Sequence, residues 1–79
     1  MNELQGSQEW LITPNPTSAY FLPPAGAYGM HYEILDATGK IFLQGKVQGH
    51  IGIDELASGC YFIKWKKADE VHFSKLMKN

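Results

Sequence analysis

The sequence predicts an all-β domain, an antiparallel β-sandwich of about seven short strands. Two observations favour this fold class: short runs of alternating apolar and polar residues recur along the chain, and turn-forming residues separate them roughly every 8 to 12 residues. No segment has a convincing helical period. The chain contains 79 residues, 44% of them hydrophobic and 13% aromatic, so one small domain with a folded core is expected.

The N-terminal segment differs from the rest of the chain. Residues 1–9 are polar and lack periodicity, so they are predicted to form a linker or tail, and residues 10–79 the domain. The predicted strands cover residues 11–13, 19–22, 30–35, 41–47, 50–53, 60–66 and 71–77. Gly45 is expected to mark a bulge in the fourth strand. A single helical turn is expected at residues 54–57 and a hairpin turn at residues 67–70.

Residues 10–32 lack Asp, Glu, Lys and Arg and are long enough to cross a bilayer as a helix. They also contain all four prolines of the chain, which a spanning helix would not tolerate. Stable membrane insertion is therefore not expected. Instead, Pro14, Asn15 and Pro16 are predicted to form a turn in which proline fixes the backbone on both sides of the asparagine.

The most β-prone run of the chain follows a tight turn. Tyr61, Ile63 and Trp65 alternate onto one face of the predicted strand, and Gly59 lies where the turn ends, a place that often requires positive φ. Leu56 is expected to fill the core, while Tyr61 buries its ring and directs its hydroxyl to backbone near the turn. This is the tyrosine corner of immunoglobulin-like sandwiches, so an immunoglobulin-like arrangement is predicted. The predicted core includes Ile34, Leu56, Tyr61 and Ile63.

A second corner precedes the fourth strand. The carboxylate of Asp36 is suited to accept the N–H groups of a type I turn, and Gly39 suits the left-handed position that closes a short hairpin with a bulge. Because only glycine adopts positive φ easily, a β-branched residue at Gly39 or Gly59 is expected to destabilise the domain.

No catalytic site, metal site or cofactor is expected. The residues best suited to such chemistry lie far apart in the sequence, whereas zinc sites favour close pairs of ligands. These residues are Cys60, His31, His50 and His72. Cys60 is interpreted as a packed thiol that acts as a small hydrophobic residue.

The charge balance argues against nucleic acid as a partner. The net charge is −1, and the chain contains no arginine. Residues 60–79 hold five of the seven lysines. Lysines beside an aromatic residue can indicate nucleic-acid binding, but Trp65 is predicted to face away from Lys64 and Lys66. These lysines are therefore interpreted as a solvated face of the strand.

Three motifs together resemble a known family. They are ITPNPTS near the start, YEILDATGK in the middle, and IDELASGCYFIKW followed by a short lysine-bearing end. In this order and spacing they are similar to the C-terminal sorting domain of the type IX secretion system of Bacteroidetes. The resemblance covers residues 12–78. It departs at Cys60, where Val or Ile is usual, and at residues 19–20, where the family is more polar or contains glycine.

The resemblance implies a function and partners. Family members direct a cargo protein, covalently attached on the N-terminal side and absent from this chain, through the periplasm and across the outer membrane to the cell surface or the medium. The type IX translocon recognises them, and a sortase-like peptidase usually removes them afterwards. The sorting-signal candidates are Leu56, Gly59, Tyr61, Lys75 and Lys78. If the terminal strand lies at a sheet edge, recognition by strand addition is expected.

Two other functions stay open on the sequence alone. One is an immunoglobulin-like spacer or adhesion module of a cell-surface protein. The other is a carbohydrate-binding module, in which aromatic side chains would stack on sugar rings. The aromatic candidates for that role are Trp10, Tyr20, Tyr28 and Trp65. None of these hypotheses makes the chain an enzyme.

Overall fold

The computed structural model describes residues 10–79, which contain six β-strands and a 3-10 helix at Ala25–Ala27. The strands are β1 (Tyr20–Phe21), β2 (His31–Leu35), β3 (Ile41–Lys46), β4 (Ile51–Gly52), β5 (Gly59–Lys67) and β6 (Glu70–Lys78). The linker or tail predicted for residues 1–9 lies outside the described residues.

The strands form two antiparallel sheets in a sandwich-like arrangement. One sheet has four strands in the order β3-β2-β5-β6, and the other pairs β1 with β4. The predicted all-β antiparallel sandwich is confirmed. Its immunoglobulin-like arrangement is not, since the smaller described sheet has two strands where that fold has three or more. The strand predicted at residues 11–13 is reduced to an isolated bridge between Thr13 and Leu22, because Pro14 has no N–H to continue a ladder.

The core receives side chains from both sheets. Alternation along β5 turns Tyr61, Ile63 and Trp65 inward as predicted, and Trp65 is completely buried. Phe21 of β1 and Ile51 of β4 join the same cluster from the smaller sheet. The predicted core residues Ile34, Leu56, Tyr61 and Ile63 are all buried. Truncation of a buried tryptophan to alanine typically destabilises a protein by about 3–5 kcal/mol, so Trp65 is a principal source of stability.

The bulge in β3 lies at Phe42, and the prediction of a bulge at Gly45 is wrong. β2 and β3 pair in one register up to Ile34, after which the register shifts by one residue at Phe42. Gly45 pairs regularly with Tyr32, and a Cβ at this glycine would lie 3.3 Å from Cε2 of the tyrosine ring. The missing side chain therefore makes room for Tyr32.

The helical turn predicted at residues 54–57 is a simple hydrogen-bonded turn. The N–H of Leu56 donates to the carbonyl oxygen of Ile53 at 3.0 Å, and no helix follows because this single bond is not continued. The 3-10 helix lies earlier, after Pro24. Among residues 10–79, no helix is both long enough and apolar enough to cross a membrane.

The hairpin predicted at residues 67–70 joins the two longest strands. β5 ends at Lys67 and β6 begins at Glu70, and these two residues face each other across the ladder. The pairing continues without interruption to Gly59 and Lys78. The terminal strand is thus fixed by nine consecutive pairs to the strand that begins at the tyrosine corner.

Candidate recognition surface

The corner before β5 has the geometry that the sequence predicts. Leu56 is buried, and Gly59 opens the strand with a φ of 151°. The buried Tyr61 directs its hydroxyl to the carbonyl oxygen of Ala57, to which it donates a hydrogen bond of 2.7 Å. No atom lies within 4 Å of a Cβ built at Gly59, so the backbone conformation alone explains this glycine. The corner fixes the direction in which the chain enters β5.

The corner before β3 is also confirmed. Oδ1 of Asp36 accepts hydrogen bonds from the Thr38 hydroxyl at 2.6 Å, the Thr38 N–H at 2.9 Å and the Lys40 N–H at 3.1 Å. The hydroxyl bond first, and then the backbone bonds, hold the pKa of Asp36 below its ordinary value of 3.8, because they favour the charged carboxylate. Gly39 has a φ of 93°, in the left-handed region that glycine adopts without strain.

The Pro14-Asn15-Pro16 turn lies against the last strand. Prolines have no N–H, so the backbone of this turn offers few donors. The Asn15 side chain supplies both hydrogen-bonding groups: Nδ2 donates to the Lys75 carbonyl oxygen at 2.8 Å, and Oδ1 accepts from the Met77 N–H at 2.9 Å. Because an amide side chain carries the same donor and acceptor as a peptide group, Asn15 extends the sheet past β6.

Thr17 continues this contact with its backbone. Its N–H donates to the Met77 carbonyl oxygen at 3.0 Å, and its carbonyl oxygen accepts from the Asn79 N–H at 2.9 Å. We call the contact of Asn15 and Thr17 with residues 75–79 the edge clasp. It joins two parts of the chain that lie about sixty residues apart, since 60 residues separate Asn15 from Lys75.

The edge clasp limits recognition by strand addition. β6 does lie at an edge of the four-stranded sheet, as that expectation requires. Ladder alternation directs the backbone groups of residues 71, 73, 75 and 77 away from β5. The clasp already binds the Lys75 carbonyl and both backbone groups of Met77. Strand addition along the whole of β6 is therefore unavailable while the clasp is closed.

Lys75 and Lys78 lie on opposite faces of β6. Lys75 is exposed and pairs with Phe62, whereas Lys78 is half-buried and pairs with Gly59. A separation of three residues along a strand reverses the direction of the side chain. The two lysines therefore cannot present their charges to the same flat surface.

Trp10 makes a second contact between the beginning of the described chain and β6. Its ring stacks on His72 with the centroids 3.8 Å apart and lies 6.5 Å from Trp65. The Ser74 hydroxyl donates to the Trp10 carbonyl oxygen and accepts from the Trp65 indole N–H at 2.8 Å. Since Trp65 is fully buried and Trp10 is covered by His72 on one face, neither ring forms the open stacking platform that sugar binding would need.

Cys60 is exposed, so its interpretation as a packed thiol is wrong. It lies on the face of β5 opposite Tyr61, and that face points to solvent. Within residues 10–79, no group of three or more His, Cys, Asp or Glu side chains is placed to hold a metal ion. His72 instead contacts Glu70, with Nε2 and Oε2 2.7 Å apart. The expected lack of metal and catalytic sites stays a prediction.

Two residues that join the ends of the domain were missed by the sequence analysis. Thr17 carries the first backbone N–H after the two prolines, and that position is the signal from which a contact could have been inferred. Ser74 is a polar residue between the half-buried His72 and the buried Leu76 on the inward face of β6. A hydroxyl at such a position indicates a buried hydrogen bond, here to Trp65.

Small antiparallel sandwiches recur among cell-surface modules, which is the class that this fold indicates. The family model of the secretion system C-terminal sorting domain matches residues 11–79. The chain belongs to this family, which is a family of sorting signals of the type IX secretion system and not an enzyme family. Neither the curated proteins nor the solved structures gave a match. Membership implies recognition by the type IX system, a cargo attached on the N-terminal side, and export to the cell surface or the medium.

Proposed function

We propose that this domain carries its cargo from the periplasm across the outer membrane through the type IX translocon, and that a sortase-like peptidase then removes it. Residues 10–79 are the folded signal, and residues 1–9 link it to the cargo. The observation that supports this most strongly is the edge clasp, which joins the Pro-Asn-Pro motif to the lysine-bearing end. Two of the three motifs that resemble the family thus form one structure.

The corner residues are the scaffold of the proposed signal. Leu56, Gly59 and Tyr61 set the direction of β5, and β5 pairs with β6 along its whole length. A distorted corner would displace the strand that carries Lys75 and Lys78. Loss of export in corner variants is therefore expected to accompany loss of folding, whereas the lysines act through their charge.

The domain itself is proposed to have no catalytic role. Its contribution is a rigid surface that the export machinery reads, because recognition of a folded sandwich needs positioned side chains and no chemistry. No catalytic role is assigned to the exposed Cys60, and Cys60→Ser, which keeps a small side chain at this position, is expected to leave export unchanged.

A reporter fusion tests the proposed function. A fluorescent protein that matures in the periplasm is given a periplasmic leader, fused ahead of residues 1–79, and expressed in a host with a type IX system. We expect fluorescence at the surface and in the medium, while the reporter without the domain, and a Gly59→Val fusion, stay in the periplasm. Retention of the parent fusion, or equal export of the reporter alone, would contradict the proposal.

A further inference from the structure

The four-stranded sheet carries an apolar row on its solvent side. We use "outer face" for the side of this sheet opposite the core. In the register of the sheet, Ile41 of β3 pairs with Leu35, Leu35 pairs with Phe62, and Phe62 pairs with Lys75 of β6. The apolar side chains of this row occupy three strands, and the row ends at Lys75 on the fourth, about 14 Å from Ile41 for a strand spacing of about 4.8 Å.

Two further apolar side chains lie beside this row on β6. Phe73 and Met77 are two residues before and after Lys75, so alternation places all three on the outer face. Phe73 is 59% exposed, Met77 40% and Phe62 38%. An exposed group of this kind on a small domain indicates an interaction site, because folding alone gives no reason to leave aromatic rings in solvent.

Positive charge is concentrated around these apolar side chains. By the same alternation, four of the seven lysines of the chain lie on the outer face: Lys46, Lys64, Lys66 and Lys75. Among the described strands, Glu33 is the acidic residue of this face. The outer face therefore carries a net positive charge, although the net charge of the whole chain is −1.

We propose that the outer face is a docking surface for a partner protein that presents an apolar patch ringed by carboxylates. The inference rests on the proposed function, since it names the surface that the type IX machinery would read. Exposed aromatic side chains such as Phe62 and Phe73 are common anchors of protein interfaces, and the lysines beside them supply the charge that such a partner would match. The lysines would steer the encounter and fix its orientation.

The charges of the outer face disfavour two other occupants. A twofold dimer through this face would bring lysines against lysines. A lipid surface would bury the carboxylate of Glu33, which lies opposite Lys64 in the ladder and has an oxygen 3.9 Å from the ring nitrogen of His31. An acidic protein surface accommodates the lysines and can place a polar group of its own against Glu33.

Matched variants in the reporter fusion test this surface. Phe73→Ser removes an exposed aromatic ring from the outer face, and Lys75→Glu reverses one of its charges. The controls are Leu11→Ser, a residue 60% exposed outside the four-stranded sheet, and Lys67→Glu, at the hairpin end of β5 with its side chain on the other face by alternation. Thermal melts of the four 79-residue variants show whether each one is folded.

The outer-face variants are expected to lower the exported fraction by about tenfold or more while the melting temperature changes little, since truncation of an interface anchor has effects of this size. Both controls should stay within about twofold of the parent. Export of Phe73→Ser and Lys75→Glu at the parent level would overturn the docking surface but not the proposed function. A parent fusion that stays in the periplasm would contradict the proposed function itself, and this inference with it.

Two measurements on the purified chain test whether a second copy of the chain or a lipid surface binds the outer face instead. We expect a monomer in sedimentation at micromolar concentration, and no flotation with vesicles of phosphatidylglycerol and phosphatidylcholine. A dimer that Phe73→Ser dissociates would assign the outer face to a second copy. Flotation that Lys75→Glu abolishes would assign it to an anionic lipid surface. Either result would overturn the inference of a protein partner.

Discussion

The two edges of the four-stranded sheet are protected in different ways. The edge at β3 is interrupted by the bulge at Phe42, and Lys40 lies over that ring, with its Nζ 5.1 Å from the ring centroid. Bulges and lysines are common means of preventing an edge from pairing with another chain. The edge at β6 has a regular ladder and is covered instead by Asn15 and Thr17 in the edge clasp.

This difference determines when each edge is closed. The β3 edge is blunted by residues of its own strand and of the turn before it. The β6 edge is closed only when a segment from the other end of the chain is in place. A closed β6 edge therefore indicates that Asn15 and Thr17 have folded against the terminal strand.

Among the changes that compare the two edges, the largest effects on stability are expected at the corners that lead to them. Gly59→Val distorts the beginning of β5 next to β6, and Gly39→Val distorts the turn before β3. Both glycines have positive φ, so each variant should lose about 1–3 kcal/mol of unfolding free energy. Thermal and denaturant melts measure this loss.

Gly49→Val is the matched control for both corners. A Cβ at Gly49 also meets no atom within 4 Å, but this residue does not have a positive φ. Its melt should lie within about 0.5 kcal/mol of the parent. If both corner variants have the melting temperature of the parent, the positive φ of these glycines does not stabilise the domain.

A loss of at most the same size is expected where the inner side of β6 meets Trp10. Ser74→Ala removes the partner of the Trp65 indole N–H, which is buried, and an unsatisfied buried donor destabilises a protein by about 1–3 kcal/mol. Urea unfolding followed by tryptophan fluorescence measures the change. The exposed Ser18→Ala is the control, and equal stability of the two variants would argue against the buried hydrogen bond.

Opening the clasp is expected to have a still smaller effect on stability. Asn15→Ala removes two hydrogen bonds at exposed positions, where water replaces part of what is lost, so a loss of about 1 kcal/mol is expected. Gln44→Ala on β3 should change stability by less than about 0.5 kcal/mol. Comparable changes in the two variants would mean that the β6 edge is no more closed than the β3 edge.

The smallest effect is a pH dependence at the corner before β3. Asp36 has a lowered pKa in the folded state, so its charge stabilises the fold above the ordinary value of 3.8, and this contribution disappears as the pH falls through the lower folded pKa. Asp36→Asn keeps an acceptor oxygen but carries no charge. The parent should melt above the variant at pH 7, with the difference vanishing in strong acid. A difference independent of pH would exclude the charged carboxylate as its cause.

The sequence predicts local features of this fold better than contacts between distant segments. The positive φ of Gly59 and the turn at Asp36 follow from residue types a few positions apart, and both are confirmed. The edge clasp depends on which strand happens to lie beside Asn15, and no local pattern contains that information. The prediction for Cys60 is wrong because a small residue after a corner suggests a core position, whereas alternation from the inward Tyr61 puts this side chain in solvent.

Amide hydrogen exchange at Met77 and Gln44 tests whether Asn15 and Thr17 close the outer edge of β6. Both N–H groups point away from the adjacent strand by ladder alternation, but Met77 donates to Asn15 while Gln44 faces solvent. We predict that Met77 exchanges about tenfold more slowly than Gln44 or slower still, and that Asn15→Ala removes this protection while the inward amide of Leu76 keeps its own. Exchange at Met77 as fast as at Gln44 in the parent would mean that the β6 edge is open.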